Sequence, residues 1–468
     1  MPSNRIFVRV LVRSASALFA ASLLATPVAM AENQSVETLL ALLKSPTVST
    51  RCKAAEELGQ RRVRNQVAVE ALTAAARDDD KAEVRAEAIK SLGLIKDFSA
   101  APTVINALKD KKTEVRLVAV RSLVAFYTEH DIDFITNRRT GWNRFNPFLD
   151  TSDHEIIEPY ILVDPGITEA IGESARSDKS YDVRVAAVRA LGVLRATTSI
   201  DQLAEAMSID HALRMEVIRA FIKIGDPAAG RHLTPFFNDS DRNVRTQAMV
   251  AAGLLKYQPA VEPLMAIYAL GPEDKNVFKK VTDGVKGPFA YLPTRDEAAL
   301  WALSLIGDGR TEKIFVDSMD SQDADRRQYG IEGLGRMGER RYGDQIAARI
   351  PRKDHSDVRL AAYWASYKLG SGANLQYVVN KLDTDQHEQA RGYLLEVTTP
   401  ADLYPFLNST KISVRQRLIE VLGRIGDQET IKALEPVSRT SGEKTADIAT
   451  VAIKRIEWRL AGRPRAAR

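Results

Sequence analysis

The stretch Glu83–Asp97, EVRAEAIKSLGLIKD, returns as YDVRVAAVRALGVLR from Tyr181 and as SVRQRLIEVLGRIGD from Ser413. Set in register, Val84, Val115, Val183, Leu213, Val244, Val358 and Val414 are each followed by an arginine: Arg85, Arg116, Arg184, Arg214, Arg245, Arg359 and Arg415. Thr50-Arg51 fits the same frame, and looser copies begin near Arg295, Arg326, Gln386 and Ile448. Many neighbouring copies lie roughly 30 to 32 positions apart, an interval that marks a stack of similar units. A unit of this size cannot bury its apolar face alone, so the phrase is restated until a continuous core exists.

Within one copy, Val183, Ala186, Ala187, Ala190, Leu191 and Leu194 recur at the three- and four-residue spacing of a helical stripe. Upstream of such helices stand second apolar segments, among them APTVINALKD from Ala101 and SIDQLAEAM from Ser199. Each unit is therefore predicted to be a helical hairpin with a short Asp-rich turn. Asp80, Asp110, Asp178, Asp239 and Asp354 stand where a carboxylate would cap the second helix and meet its positive dipole end. Gly93, Gly192 and Gly423 follow the stripe, where close helix contact or a bend favours a residue without a side chain. The repeated arginine is placed to pair with an Asp of its own or the adjacent unit, a structural ladder along the stack. With helices packed roughly 8 to 10 Å apart, about a dozen hairpins would form a curved rod on the order of 100 Å long with one concave side.

The VRxxAvxaLG core resembles HEAT repeats, in particular the bacterial HEAT-like repeats also found in phycocyanobilin lyases, and the resemblance covers nearly the whole chain beyond the first thirty-odd residues. It implies an all-α fold, an α-α superhelix or HEAT-like solenoid of stacked helical hairpins. It implies extended binding surfaces rather than a particular chemistry, and the lyase activity is not carried over. HEAT-like di-iron hydroxylases use His-Glu pairs at matching positions of several repeats. This chain has only His154-Glu155 and His387-Glu388, far apart and out of register, and departs from that pattern.

Residues 1–31 have the three parts of a cleavable secretory signal peptide. Arg5, Arg9 and Arg13 form a positive start, Ser14 to Ala25 an apolar stretch, and Ala29-Met30-Ala31 a small-x-small cleavage pattern. The mature chain is placed from Glu32, in the periplasm or secreted, with no transmembrane segment. The full chain counts 66 Lys and Arg against 61 Asp and Glu. Without the three leader arginines the balance is close to even, and the cations are interspersed with carboxylates, so nucleic acid is not expected as a partner. Cys52 is the only cysteine, which excludes an intrachain disulfide and a thiolate metal cluster. The solenoid is expected over 32–458, followed by a basic C-terminal tail, 459–468.

Two interruptions break the repeat, near 126–165 and 271–294, and insertions in solenoids often map to a binding face. The first interleaves Arg138, Arg139 and Arg144 with Trp142, Phe145 and Phe148, residue types that dominate binding hot spots. The distance from Val115 to Val183 also leaves room for a hidden degenerate unit. The second is locally basic, with Lys279 and Lys280 beside Phe278. No nucleophile elbow or phosphate-binding glycine loop is present. The expectation is an exported, non-catalytic scaffold or adaptor for protein partners in the cell envelope, not an enzyme and without a cofactor or a metal site. The alternative is an enzyme or metal-binding protein with its site at His130, Asp133, His154 and Glu155.

Overall fold

The computed structural model describes residues 34–128, 156–272, 293–351, 353–371, 375–440 and 442–461. Among the described residues every regular element is helical, and the helices alternate as hairpins stacked in chain order. The second helices carry the repeated phrase: α2 (Val48–Gln60), α4 (Ala82–Ile95), α6 (Thr113–Ala125), α8 (Tyr181–Val193), α10 (Arg214–Ile224), α11 (Arg242–Leu254), α13 (Arg295–Ile306), α15 (Ala324–Met337), α17 (Ser356–Lys368), α19 (His387–Leu394), α20 (Ile412–Ile425) and α22 (Glu443–Ala461). Their partners are α1 (Val36–Leu42), α3 (Gln66–Asp78), α5 (Ala101–Ala107), α7 (Pro165–Ser177), α9 (Ile200–Ile209), α12 (Val261–Ala269), α14 (Glu312–Met319), α16 (Gly343–Ala347), α18 (Gln376–Asn380) and α21 (Gln428–Thr440). In two hairpins the first helix is replaced by 3-10 turns, Thr234–Asn238 and Pro400–Asn408, where Pro235 and Pro405 remove backbone donors.

The stripe read from the sequence is the buried face: Val183, Ala186, Ala187, Ala190 and Leu191 are all buried in α8. The apolar residues of successive units join one core that runs from Leu39 to Ile456. Burying a Val or Leu side chain contributes about 1.5–3 kcal/mol. The glycines of the phrase serve contact, not a bend. A Cβ on Gly93 would lie 2.8 Å from the Ser122 Cβ, and one on Gly423 would lie 2.8 Å from the Ala452 Cβ, each on the next second helix.

The interruptions differ in kind. The first falls between two hairpins, and α6 packs directly on α8, so no hidden unit lies between them. The second falls inside a hairpin, between α12 and α13. The end of the stack does not stand off as the tip of a rod. Arg455 of α22 binds Glu158, in the segment that follows the first interruption, through Nε–Oε2 and Nη2–Oε1 contacts of 2.5 Å. Trp458 adds a ring contact to Tyr160, with centroids 6.2 Å apart. The superhelix therefore curls until its last helix meets its middle. Among the described residues no helix is long and apolar enough to cross a membrane. The last helix runs to Ala461, so Arg459, assigned from sequence to the tail, is helical and donates to the Arg424 and Gly426 carbonyls.

Candidate functional site

Two sets of polar links cross from unit to unit, one at each end of the second helices. At the N-terminal ends, Arg85 grips Asp110 of the next unit with Nε–Oδ2 and Nη2–Oδ1 bonds of 2.7 and 2.9 Å. Arg116 binds Asp178 in the same way, at 2.6 and 2.8 Å. Arg51 pairs with Asp79, Arg184 with Asp210, Arg214 with Asp239, and Arg327 with Asp354. The arginine also donates to the carbonyl six residues upstream, for instance Arg85 to Asp79, Arg245 to Asp239 and Arg415 to Ser409. The aspartate closes its own turn, since Asp110 Oδ1 accepts from the Lys112 amide at 2.8 Å. Burial pushes the Asp110 carboxyl up, and Arg85 with that amide brings it below its ordinary value.

The register differs from the sequence reading at two places. Asp79, not Asp80, is the closely held carboxylate of its turn, and Arg327, not the neighbouring Arg326, occupies the repeated position. These aspartates are not the N-caps: α4 and α6 start from Lys81 and Lys112, with the aspartate two residues earlier. Arg359 has a buried Nε without a partner, and the turn of the following unit offers Thr384 where others offer Asp.

At the C-terminal ends of many second helices, the first or second residue past the helix adopts a left-handed conformation. Gly225, Gly307, Gly338 and Gly370 supply it at some units, and Arg62, Lys96, Arg195 and Lys256 at others. A side chain in that conformation costs about 1 kcal/mol or more. Three of the basic residues reach a carbonyl at the end of the next second helix: Lys96 to Thr128, Arg195 to Ile224, and Lys256 to Leu305. Helix C-termini carry partial negative charge, so a cation there is stabilising.

In the later half these ends converge. Arg336 of α15 donates to the Ser304 carbonyl at 3.1 Å, binds Glu332 at 3.0 Å, and reaches Glu396 at 2.8 Å. The last link bypasses the unit of α17, which places these helix ends on the inside of the curve. Lys368 also binds Glu396, at 3.1 Å, and both Lys368 and Arg336 sit 5.1 Å from the Trp364 ring centroid. Tyr393 donates to Glu332 at 2.5 Å and stacks on Trp364 with centroids 4.6 Å apart. One turn further back, the half-buried Trp301 and Tyr329 stack at 5.8 Å.

Lys256, Arg336 and Lys368 thus face Glu332 and Glu396, leaving one positive charge in excess. Burial, reinforced by Arg336, lowers Lys256 to about 8. Burial raises Glu396, but Arg336, Lys256 and Lys368 outweigh it and bring it to about 2. Burial likewise opposes the charge on Arg336, and Glu332 and Glu396 more than offset it. Lys256 is solvent-exposed yet crowded by protein on the inside of the curve. The cluster carried no motif in the sequence. Its signal was positional: charged residues recurring near the end of successive second helices.

The candidates Arg138, Arg139, Trp142, Arg144, Phe145, Phe148, Lys279 and Lys280 lie outside the described residues, as do His130, Asp133, His154, Glu155 and the leader 1–31. Among the described residues no group of three or more His, Cys, Asp or Glu side chains is placed to hold a metal ion. His387 contacts the adjoining Glu388 at 3.2 Å and the Thr384 carbonyl at 2.9 Å. Cys52 is half-buried, and burial with Glu87 raises its thiol above its ordinary value, which disfavours a reactive thiolate.

The fold and its cross-unit links define a helical-repeat solenoid, and comparison with known proteins shows what its units are similar to. The family model of HEAT repeats matches residues 12–93, 69–141 and 168–253, so those parts of the chain are similar to HEAT repeats. The chain is 27% identical over 276 residues to phycocyanobilin lyase subunit alpha of Nostoc sp. strain PCC 7120, covering 56% of this chain and 87% of that protein. Among solved structures, it is similar to the complex of CpcE and CpcF of phycocyanin lyase from Nostoc sp. PCC7120. That match has 18% identity and a TM-score of 0.26, covering 75% of this chain and all of the other. It is also similar to the Kap95:Nup1 complex, with 12% identity, 91% and 62% coverage, and a TM-score of 0.44. The expectation that this chain is not an enzyme is corrected by the curated relative, a lyase subunit: a stack of such repeats does not exclude catalysis.

Proposed function

We propose that the chain is an exported HEAT-repeat scaffold that holds a protein partner in the cell envelope against the inside of its curve. The observation that carries this reading is the convergence of Lys256, Arg336 and Lys368 on two carboxylates beside the Trp301–Tyr329 stack. Excess positive charge next to aromatic faces suits an acidic segment, and arginine and aromatic residues are the anchors that dominate interfaces. The basic, aromatic segment with Arg138, Arg139, Trp142, Arg144, Phe145 and Phe148 supplies a second contact, and Lys279 and Lys280 a third.

The test is binding of a labelled acidic peptide to the mature chain, read by fluorescence anisotropy at low and high salt. Binding that weakens with salt and is lost in the Lys256→Glu, Lys368→Glu double variant supports the reading. Equal binding of a basic peptide overturns it. Export is tested separately by N-terminal sequencing of the mature protein, which should begin at Glu32. A second reading, a lyase acting on a protein-bound or free small molecule, is favoured by the similarity to phycocyanobilin lyase subunit alpha and fits the same inner surface.

A further inference from the structure

Where the last helix closes on the middle of the stack, it leaves a cavity of about 450 Å³ that no property of the repeat requires. Its walls are the segment from Ile157 to Pro165, the ends of α8 and α10 at Leu194–Thr198 and Ile224–Pro227, and Trp458. The exposed lining is mixed: Ile157, Leu194 and Ile224 are buried in the core behind it, and Ile161, Leu162 and Val163 offer its apolar surface.

The polar groups of the walls are unevenly spent. Glu158 is held by Arg455, and Asp226 accepts the Ala228 amide at 2.8 Å. The donors are not matched in this way. The Trp458 indole N–H is buried without an acceptor, a condition that costs about 1–3 kcal/mol of desolvation if nothing occupies it. Arg195 makes one long contact, 3.5 Å, to the Ile224 carbonyl. Burial lowers its pKa and Glu158 partly restores it, so its charge lacks a close counter-ion. Arg195 also keeps its left-handed backbone at φ 49°, where the next unit uses Gly225 at φ 71°.

Unspent donors beside the apolar strip of Ile161, Leu162 and Val163 select an acceptor carrying a hydrocarbon or aromatic body. An inorganic anion would fill a small part of the volume, since one water takes about 30 Å³. We propose that this cavity binds an apolar monocarboxylate, its carboxylate on Arg195 and the Trp458 N–H and its body against Ile161, Leu162 and Val163. Such a ligand bridges α22 and the middle of the stack, and its binding does not depend on partner capture at the inner network.

The test is isothermal titration of the mature chain with decanoate, with decan-1-ol and acetate as probes that lack the head or the tail. Saturable binding of one decanoate is expected, with neither control binding. Arg195→Gly, which relieves the strained backbone and keeps the turn, should weaken decanoate by about tenfold or more, the scale of a charge-assisted hydrogen bond. Trp458→Phe removes the N–H together with one ring of the indole and should weaken it several-fold, with the thermal transition followed as the control for lost packing against Tyr160. No binding of decanoate, or equal binding by wild type and both variants, overturns the proposal, as does binding of decan-1-ol with the same affinity.

Discussion

Arg455 and Glu158 stand 297 positions apart in the chain and are joined by two hydrogen bonds of 2.5 Å. A solenoid in which each unit touches only its neighbours has no such contact; this pair, with the Trp458 ring on Tyr160, joins the last helix to the middle of the stack. Glu158→Ala removes the acceptor of a guanidinium that is 12% exposed and should cost about 2–4 kcal/mol at the closure. Small-angle scattering should show a larger radius of gyration, with the far-ultraviolet helix signal unchanged. An unchanged radius would show that the closure does not depend on the pair.

The ladder at the other helix ends should not be uniform. Arg116 and Asp178 are 4% and 6% exposed, whereas Arg184 and Asp210 are 21% and 22% exposed. Arg116→Ala leaves a buried carboxylate unpaired and should destabilise by about 3–5 kcal/mol, while Arg184→Ala should cost about 1 kcal/mol. Urea denaturation followed by circular dichroism measures both, and equal effects would show that burial does not set their strength.

Close packing of neighbouring second helices makes one glycine more sensitive than another. A Cβ on Gly253 would lie 2.8 Å from the Ala302 carbonyl oxygen and 2.9 Å from its Cα, both backbone atoms that have little freedom to move. Gly253→Ala should destabilise by about 1–3 kcal/mol. Gly392, in α19, has no atom within 4 Å of the built Cβ, and Gly392→Ala should be neutral or stabilising by about 0.5–1 kcal/mol. Thermal melts of the two variants should therefore move apart.

Lys256, with its pKa lowered to about 8, is close to half neutral at pH 8. Lys313 is exposed and held above its ordinary value by Asp317. Acylation at pH 8, read by peptide mass spectrometry, should modify Lys256 about tenfold faster than an ordinary surface lysine, since its larger neutral fraction is partly offset by the lower nucleophilicity of a less basic amine. Similar rates at the two lysines would show that Lys256 is not held in a depressed state.

Glu396 has a folded pKa of about 2, below its value in the unfolded chain. Between those two values the unfolded state binds the additional proton, so stability falls as pH falls. The contribution is full above about pH 4.5 and is lost toward pH 2. In Glu396→Gln that part of the acid sensitivity should disappear, as measured by denaturation midpoints across the window. A variant with the same acid slope as wild type would place the proton uptake elsewhere.

Much of the fold was legible because helical spacing and the interval between copies are properties of the chain alone. The stripe Val183, Ala186, Ala187, Ala190 and Leu191 is buried as its spacing requires. Where the reading slipped, it slipped by one position: Asp80 for Asp79 and Arg326 for Arg327. Adjacent residues of like charge are indistinguishable in sequence, yet on a helix one step is 100° and changes which unit the side chain meets. The spacing from Val115 to Val183 suggested a hidden unit. Arg116 pairs with Asp178 directly, because a stack closes around an inserted segment without needing a repeat to fill it.

The sequence alone determined that this chain is an all-α stack of hairpins, because periodic apolar positions and small residues act locally and between immediate neighbours. Only the tertiary structure decided which ends of the helices converge. The cluster of Lys256, Arg336, Lys368 and Glu396 and the closure of Arg455 on Glu158 depend on curvature. Curvature is the sum of small rotations between successive units, each set by the volume of side chains at the contact, and no single repeat records that sum.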